Sequence, residues 1–144
     1  MGRILGVDYG ARRIGFAVSD PTQIIASADE VVTIQNPGEA ANRTAGKVRR
    51  TGAEEIVVGL PRNMDGSEGA SAQKAREFVE LLRKKTHVPV AMWDERLSTK
   101  SAHDILIEAG TRREKRKGLV DKIAAQIMLQ NYLDAKGGEG GSQS

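Results

Sequence analysis

A single acidic residue separates two short apolar runs near the start of the chain, in the stretch RILGVDYGARRIGFAVSD from Arg3 to Asp20. The runs Ile4–Val7 and Ile14–Val18 have the compact apolar pattern of buried β-strands, and the residues from Tyr9 to Arg13 are the only connection between the two strands. The chain must turn back on itself within that connection, so the stretch predicts an antiparallel β-hairpin. Asp8 falls at the end of the first strand, where the strand ladder holds a side chain rigidly while it faces an edge or a cleft.

Two interpretations of Asp8 compete. An Asp followed by a Gly two residues later is a common way to shape a turn, so Asp8 could serve the hairpin alone. It could instead be a metal ligand or an acid that faces a phosphate, presented from the end of a strand. The choice depends on whether the rest of the chain supplies partner carboxylates.

Composition favours a sheet covered by helices. Hydrophobic residues make up 39% of the 144 residues but aromatic residues only 3%, so aliphatic side chains must form the core. This length suits one core, and we expect a single domain over residues 1–136 with a flexible Gly-rich tail over 137–144. No run approaches the roughly 20 apolar residues of a membrane span, and no signal peptide precedes the first strand, so we expect a cytoplasmic protein. The absence of cysteine excludes disulfides, thiolate nucleophiles and cysteine-based zinc sites.

Apolar periodicity and breakers predict the remaining elements. Strands are expected at about 30–34, 55–59 and 88–93, and helices at 39–50, from about 71 to 85, from 98 or 99 to about 109, and at 119–133. Ser71 or a neighbour is expected to cap the second of these segments. A strand–helix–strand crossover requires parallel pairing of the later strands. The expected fold is therefore an α/β fold with a five-stranded mixed sheet and helices on both faces.

Further acids stand where they could join Asp8. Asp94 and Glu95 follow the predicted fifth strand, at the carboxyl end where open α/β sheets bind their ligands. If the first and fifth strands run parallel, the three acids share one edge. The alternative is local, with Asp94 capping the turn into the next helix and Glu95 pairing with Arg96.

Asp121 lies on the packing side of the predicted last helix. At about 100° per residue, Ala124, Ala125 and Met128 share its side. A buried carboxylate is costly without a cation, a donor or a metal ion. The alternative is an N-terminal Asp stabilised by the helix dipole. If the acids converge, the lack of a histidine cluster and of cysteine favours a hard cation, Mg²⁺ or Mn²⁺, and two such ions suit displacement at phosphorus.

A run of basic residues indicates a polyanionic partner. The sequence pI is near 9.3. Five cations fall within six positions: Arg112, Arg113, Lys115, Arg116 and Lys117. A solvated charged loop is the alternative, since such runs often have no partner. Arg12 and Arg13 add to the basic total in the hairpin.

The chain resembles the YqgF/RuvX family of RNase H-like nucleases, described as Holliday junction resolvases or pre-16S rRNA nucleases. Four motifs carry the resemblance in order and spacing over about residues 3–135: GVDYGARRIGFAVSDP, VVGLPRNMDGSEG, WDERLST and VDKIAAQIMLQNYL. It implies an RNase H-like fold in which the first strand is central and the first three strands are antiparallel. It also implies that Asp8, Glu95 and Asp121 hold the metal, with Asp94 as an ambiguous neighbour of Glu95.

The resemblance also matches a central loop that would shape the cleft or contact a nucleic-acid backbone: Gly59, Leu60, Pro61, Asn63, Asp65 and Gly66. One departure concerns better-studied RNase H-like nucleases, because the fourth strand ends in Gly59 rather than in a carboxylate. The second acid must then come from the fifth strand. Such a site could hold one metal ion until substrate phosphate completes it.

The resulting hypothesis is a metal-dependent endonuclease for structured nucleic acid that processes the 5′ end of precursor 16S rRNA. Asp8, Glu95 and Asp121 would carry the chemistry, and phosphates would be held by the following residues: Arg12, Arg13, Asn63, Arg112, Arg113, Lys115, Arg116 and Lys117. A Holliday junction resolvase acting on branched DNA as a homodimer is the nearest alternative. A non-catalytic RNA-binding module is the second. The first motif is also similar to the phosphate loop of actin-like ATPases, but those enzymes close two such domains over the nucleotide.

Overall fold

The computed structural model describes residues 2–10, 12–61, 65–95 and 123–137. Five strands form one sheet in the order β3-β2-β1-β4-β5. Their bounds are β1 Ile4–Tyr9, β2 Arg13–Ser19, β3 Ala26–Thr33, β4 Glu55–Leu60 and β5 Val90–Asp94; the helices are α1 Pro37–Thr51 and α2 Ala70–Arg83, and residues 123–137 are also helical. Several predictions lie outside the described residues: the helix that starts at 98 or 99, the basic run 112–117, Asn63, Asp121 and the tail from 138.

The strand pairing confirms the predicted mixed sheet. β1 pairs with β2 antiparallel, with Asp8 opposite Gly15, and β2 pairs with β3 antiparallel. β1 pairs with β4 parallel, and β4 pairs with β5 parallel, because a helix links each of the last two strands to its predecessor in the chain. The central strand β1 therefore shares its carboxyl edge with β4 and β5, as the hypothesis for the acids requires.

Element boundaries differ from the predictions where local hydrogen bonds decide them. The Asp20 carboxylate accepts the backbone N–H groups of Thr22, Ile24 and Ile25, which closes a tight turn, so β3 begins at Ala26 rather than near Glu30. These bonds also lower the pKa of Asp20 below its ordinary value.

Both helix starts also depart from the expected positions. α1 begins at Pro37, where proline needs no N–H partner, and the Asn36 side chain caps it by accepting from the Glu39 N–H. α2 begins at Ala70 with Gly69 as its N-cap, so the prediction of Ser71 as the cap is wrong. β5 begins at Val90, two residues after the predicted start, directly after Pro89.

Helices cover both faces of the sheet. On one face, side chains of β1, β2 and β4 pack against α1 and α2, and this cluster includes Leu5, Val7, Phe16, Ile56, Val58, Ala40, Ala41, Phe78, Val79 and Leu82. On the other face, the sheet packs against residues 123–137, and this cluster includes Ile4, Ala17, Val57, Ala125, Met128, Leu129 and Leu133. Successive residues of a strand point to opposite faces, which is why neighbours in β1 and β4 divide between the two clusters. Within the described residues, no helix is long and apolar enough to cross a membrane.

The helical residues 123–137 run antiparallel to β1. Lys136 forms an ion pair with Glu55, at the amino end of β4, with Nζ and Oε1 2.9 Å apart. About two helical turns before Lys136, Leu129 lies directly on Gly6 of β1, where an added Cβ would be 2.8 Å from the Leu129 Cβ. The segment therefore runs from the carboxyl edge of the sheet toward its amino edge, with residue 123 at the end nearer to Asp8.

Candidate active site

Two of the predicted acids meet at the carboxyl edge of the sheet. Asp8 lies in the penultimate position of β1, and Glu95 follows the last residue of β5, with β4 between them. Their side chains form a hydrogen bond with each other. Strand alternation explains the meeting, because Asp8 shares the face of Gly6 and Glu95 shares the face of Trp93, and both of these face the helical residues 123–137.

Gly59 makes the approach of the two acids possible. It lies near the end of β4, the strand between Asp8 and Glu95, on the face toward which both side chains point. A Cβ at this position would lie 2.5 Å from Oε1 of Glu95, closer than a real Cβ approaches another atom. The missing carboxylate at the end of the fourth strand thus has a physical reason: the space that it would occupy is filled by the Glu95 side chain.

The pKa of Glu95 in the acid pair is raised strongly. Burial, the charge of Asp8, the hydrogen bond with Asp8 and the charge of Asp94, in decreasing order, raise the pKa of Glu95 from 4.5 to about 8. Every one of these causes disfavours the ionised form, so the Asp8–Glu95 pair shares a proton at neutral pH. A cation placed between the carboxylates would remove the repulsion and displace that proton.

Asp94 occupies a different position from Glu95. It pairs with Leu60 in the ladder of β4 and β5, and by alternation it shares the face of Met92, opposite to that of Trp93. Its charge still raises the pKa of Glu95. Of the two neighbouring acids that the sequence could not separate, Glu95 is therefore the one that contacts Asp8.

The donor set fits a hard cation. The two side chains that meet offer carboxylate oxygens only, which are the ligands that Mg²⁺ and Mn²⁺ prefer. No group of three or more metal-binding side chains occurs within residues 2–10, 12–61, 65–95 and 123–137. Asp121, the third predicted acid, precedes the described helical residues by two positions and so lies outside these ranges.

The predicted basic residues divide between described and undescribed parts of the chain. Arg12 is exposed in the turn that joins β1 to β2, and Arg13 is exposed as the first residue of β2, at the same edge of the sheet as Asp8. Asp65 lies in the central loop, where its carboxylate accepts hydrogen bonds from the backbone N–H of Ser67 at 2.9 Å and from its hydroxyl at 2.6 Å. Asn63 and the basic run 112–117 are outside the described residues.

Sequence reasoning missed a cavity at this edge. It has a volume of about 100 Å³ and is lined by Tyr9, Gly10, Ala70, Ser71 and Lys74. Tyr9 is the residue after Asp8, and Lys74 lies on the first turns of α2. The available signal was the strand alternation itself, since it predicts that the residue after Asp8 points to the opposite face.

Solved structures define the class of fold. The chain superposes on Thermus thermophilus RuvC, determined in complex with a Holliday junction substrate, with a TM-score of 0.60 and 14% sequence identity over 94% of this chain and 96% of that chain. It also matches the fowlpox virus Holliday junction resolvase with a TM-score of 0.53 and 14% identity, over 92% of this chain and 99% of that chain. The fold is therefore that of the RuvC-like, RNase H-like nucleases.

Sequence comparison gives the family within that class. The chain belongs to the RuvX family, whose model, described as a Holliday junction resolvase, matches residues 2–135. A relative from Halothermothrix orenii is 49% identical over 132 residues, covering 92% of this chain and 94% of its own length. Another relative, from Pelotomaculum thermopropionicum, is 44% identical over 136 residues, covering 94% of this chain and 88% of its own length. Both relatives are named "Putative pre-16S rRNA nuclease".

Proposed function

We propose that this nuclease hydrolyses phosphodiester bonds of structured nucleic acid with a divalent metal ion, and that its substrate is the 5′ end of precursor 16S rRNA. The observation that carries the proposal is the contact between Asp8 and Glu95 over Gly59. Two half-buried carboxylates in hydrogen-bond contact raise the free energy of the metal-free fold, which is the arrangement expected where a cation belongs. The names of the relatives support rRNA as the substrate.

Asp8 and Glu95 would hold Mg²⁺ or Mn²⁺, with Asp121 as a third ligand. The direction of the helical residues 123–137 supports Asp121, because their earlier end lies toward the carboxyl edge of the sheet. A bound metal ion would supply a nucleophilic water and charge stabilisation at the phosphorus. The protein side chains keep the donors fixed, since strand ends hold Asp8 and Glu95 and Gly59 leaves room for the longer side chain.

Basic residues around the edge would bind the phosphate backbone. Arg12 and Arg13 are exposed beside Asp8, and the predicted basic run 112–117 and Asn63 would extend this surface. Lys and Arg contacts to phosphates set affinity without reading sequence. The arrangement of these cations on the surface would then select a structured substrate by the shape of its phosphate backbone.

The test is cleavage by Asp8→Asn compared with the wild-type protein. Asn keeps the size of Asp but removes the charge, so metal-dependent cleavage of a precursor 16S rRNA fragment should fall by more than about 100-fold, a loss beyond that of a typical outer-shell partner of a metal ligand. Glu54→Gln is the matched control, because Glu54 is exposed at the other end of the sheet. Unchanged cleavage by Asp8→Asn would falsify the assignment of the metal site.

A Holliday junction resolvase is the second candidate, favoured by the description of the family model. A resolvase would act as a homodimer that presents two sites to a four-way junction. Cleavage of a synthetic four-way junction and of the precursor rRNA fragment by one preparation separates the two substrates. Tight binding of RNA with no metal-dependent hydrolysis of either would instead indicate a binding module with an inactive site.

A further inference from the structure

The cavity beside Tyr9 opens on the same sheet edge as the acid pair but from the other face. Asp8 and Tyr9 are consecutive residues of β1, so their side chains point to opposite sides of the sheet. Asp8 faces the helical residues 123–137, whereas Tyr9 packs against α2, where its ring stacks on Phe78 with centroids 4.7 Å apart and planes at 14°. Only the thickness of the strand end therefore separates the cavity from the acids.

Ring stacking and a backbone hydrogen bond fix the wall of the cavity. Phe78 is fully buried and holds the Tyr9 ring in place. The Gly10 N–H donates to the Arg13 carbonyl at 2.9 Å, which closes the turn next to the cavity. Gly10 allows this close turn, because a Cβ there would be 2.8 Å from the Arg13 carbonyl oxygen.

Lys74 places at the cavity a positive charge that has no ion-pair partner among the described residues. Its neighbour Arg76, two positions later on α2, is committed to a carboxylate, since it donates to both oxygens of Glu68 at 2.6 Å. Lys74 forms no ion pair or hydrogen bond with any residue of the described ranges. Its ammonium group is therefore available to an anion. Tyr9, which also lines the cavity, adds a hydroxyl donor.

We propose that this cavity, here named the Tyr9–Lys74 pocket, binds a phosphate group of the nucleic-acid strand next to the phosphate that is cleaved. The proposal rests on the proposed function, because it assumes that a strand crosses the edge at Asp8. The cavity volume of about 100 Å³ leaves room for a phosphate group. A strand lying over the Gly10 turn would contact the acids on one face and this pocket on the other.

The test measures binding and cleavage separately. Binding of a fluorescent precursor 16S rRNA fragment and of a four-way DNA junction is followed by anisotropy without metal across a range of KCl concentrations, and cleavage is followed with Mn²⁺. Lys74→Gln should weaken binding about threefold to tenfold and reduce the slope of log affinity against log salt by about one. It should raise KM and leave kcat unchanged. Lys74→Arg should restore binding, and Glu77→Gln, which removes the nearby negative charge, should tighten it.

Lys84→Gln is the matched control, because Lys84 is exposed at the opposite end of the same helix. If Lys74→Gln binds and cleaves like Lys84→Gln, the pocket has no role and the inference is overturned. The same holds if the wild-type protein binds neither nucleic acid. If the wild-type protein binds but does not cleave, the proposed function fails, and the salt slope of Lys74→Gln still decides for or against the pocket.

Discussion

Replacement of Glu95 by Gln should make the metal-free protein less sensitive to high pH. The pKa of Glu95 is raised from 4.5 to about 8 in the folded protein, so its protonated form stabilises the fold. This stability is fully present below pH 4.5 and is lost as the pH rises through about 8. At 1.36 kcal/mol per pKa unit, the loss is about 5 kcal/mol as an upper limit. We expect about 2–4 kcal/mol, because water reaches a group that is not fully enclosed.

Urea unfolding at pH 5 and pH 9 measures this effect. Trp93 is the only tryptophan and lies two residues before Glu95, so its fluorescence reports unfolding at the site itself. Between the two pH values, the wild-type protein should lose about 2–4 kcal/mol more free energy of unfolding than Glu95→Gln. Glu54→Gln, at the other end of the sheet, should follow the wild type. Equal pH dependence of the wild type and Glu95→Gln would refute the account of the acid pair.

Three further predictions concern the acid pair and the two glycines, Gly59 and Gly6, that lie beneath packed side chains. Mn²⁺ added at pH 8 should raise the unfolding midpoint of the wild-type protein and release a proton, and should do neither in Asp8→Asn; equal stabilisation of both proteins would exclude Asp8 as a ligand. Gly59→Ala should leave stability nearly unchanged, since only the flexible end of Glu95 must move, but should reduce cleavage about 10- to 100-fold, and full activity would contradict the fit. Gly6→Ala should cost about 1–3 kcal/mol in urea unfolding, because the new Cβ meets Leu129, and a neutral result would show that the helical segment can move away.

The hairpin and the order of strands could be predicted because they depend on local signals. Apolar runs with a short connection specify β1 and β2, and a helix between two buried runs requires their parallel pairing. Ala75, Phe78, Val79 and Leu82 recur at helical spacing in the sequence, and all four are buried on one face of α2. Boundaries were less predictable, since the Asp20 turn and the Gly69 cap depend on hydrogen bonds to particular backbone groups.

The candidate site was predictable in its residues but not in its geometry. Asp8 and Glu95 stand out because acids follow apolar strands at the edge where such sheets bind ligands. The sequence alone left Asp94 and Glu95 as alternatives, since adjacent residues are equally close along the chain. The tertiary structure decided between them, because strand alternation sends consecutive side chains to opposite faces and Glu95 alone meets Asp8.

The sequence by itself determined that this chain folds as an α/β sheet with acids at the ends of its strands. Periodicity and turn residues act over a few positions, and a linear chain displays them directly. Only the tertiary structure decided why Gly59 ends β4: the glycine leaves the space into which Glu95 reaches to contact Asp8. Such a fit joins residues of three strands, and their side chains compete for the same volume only after the sheet has formed.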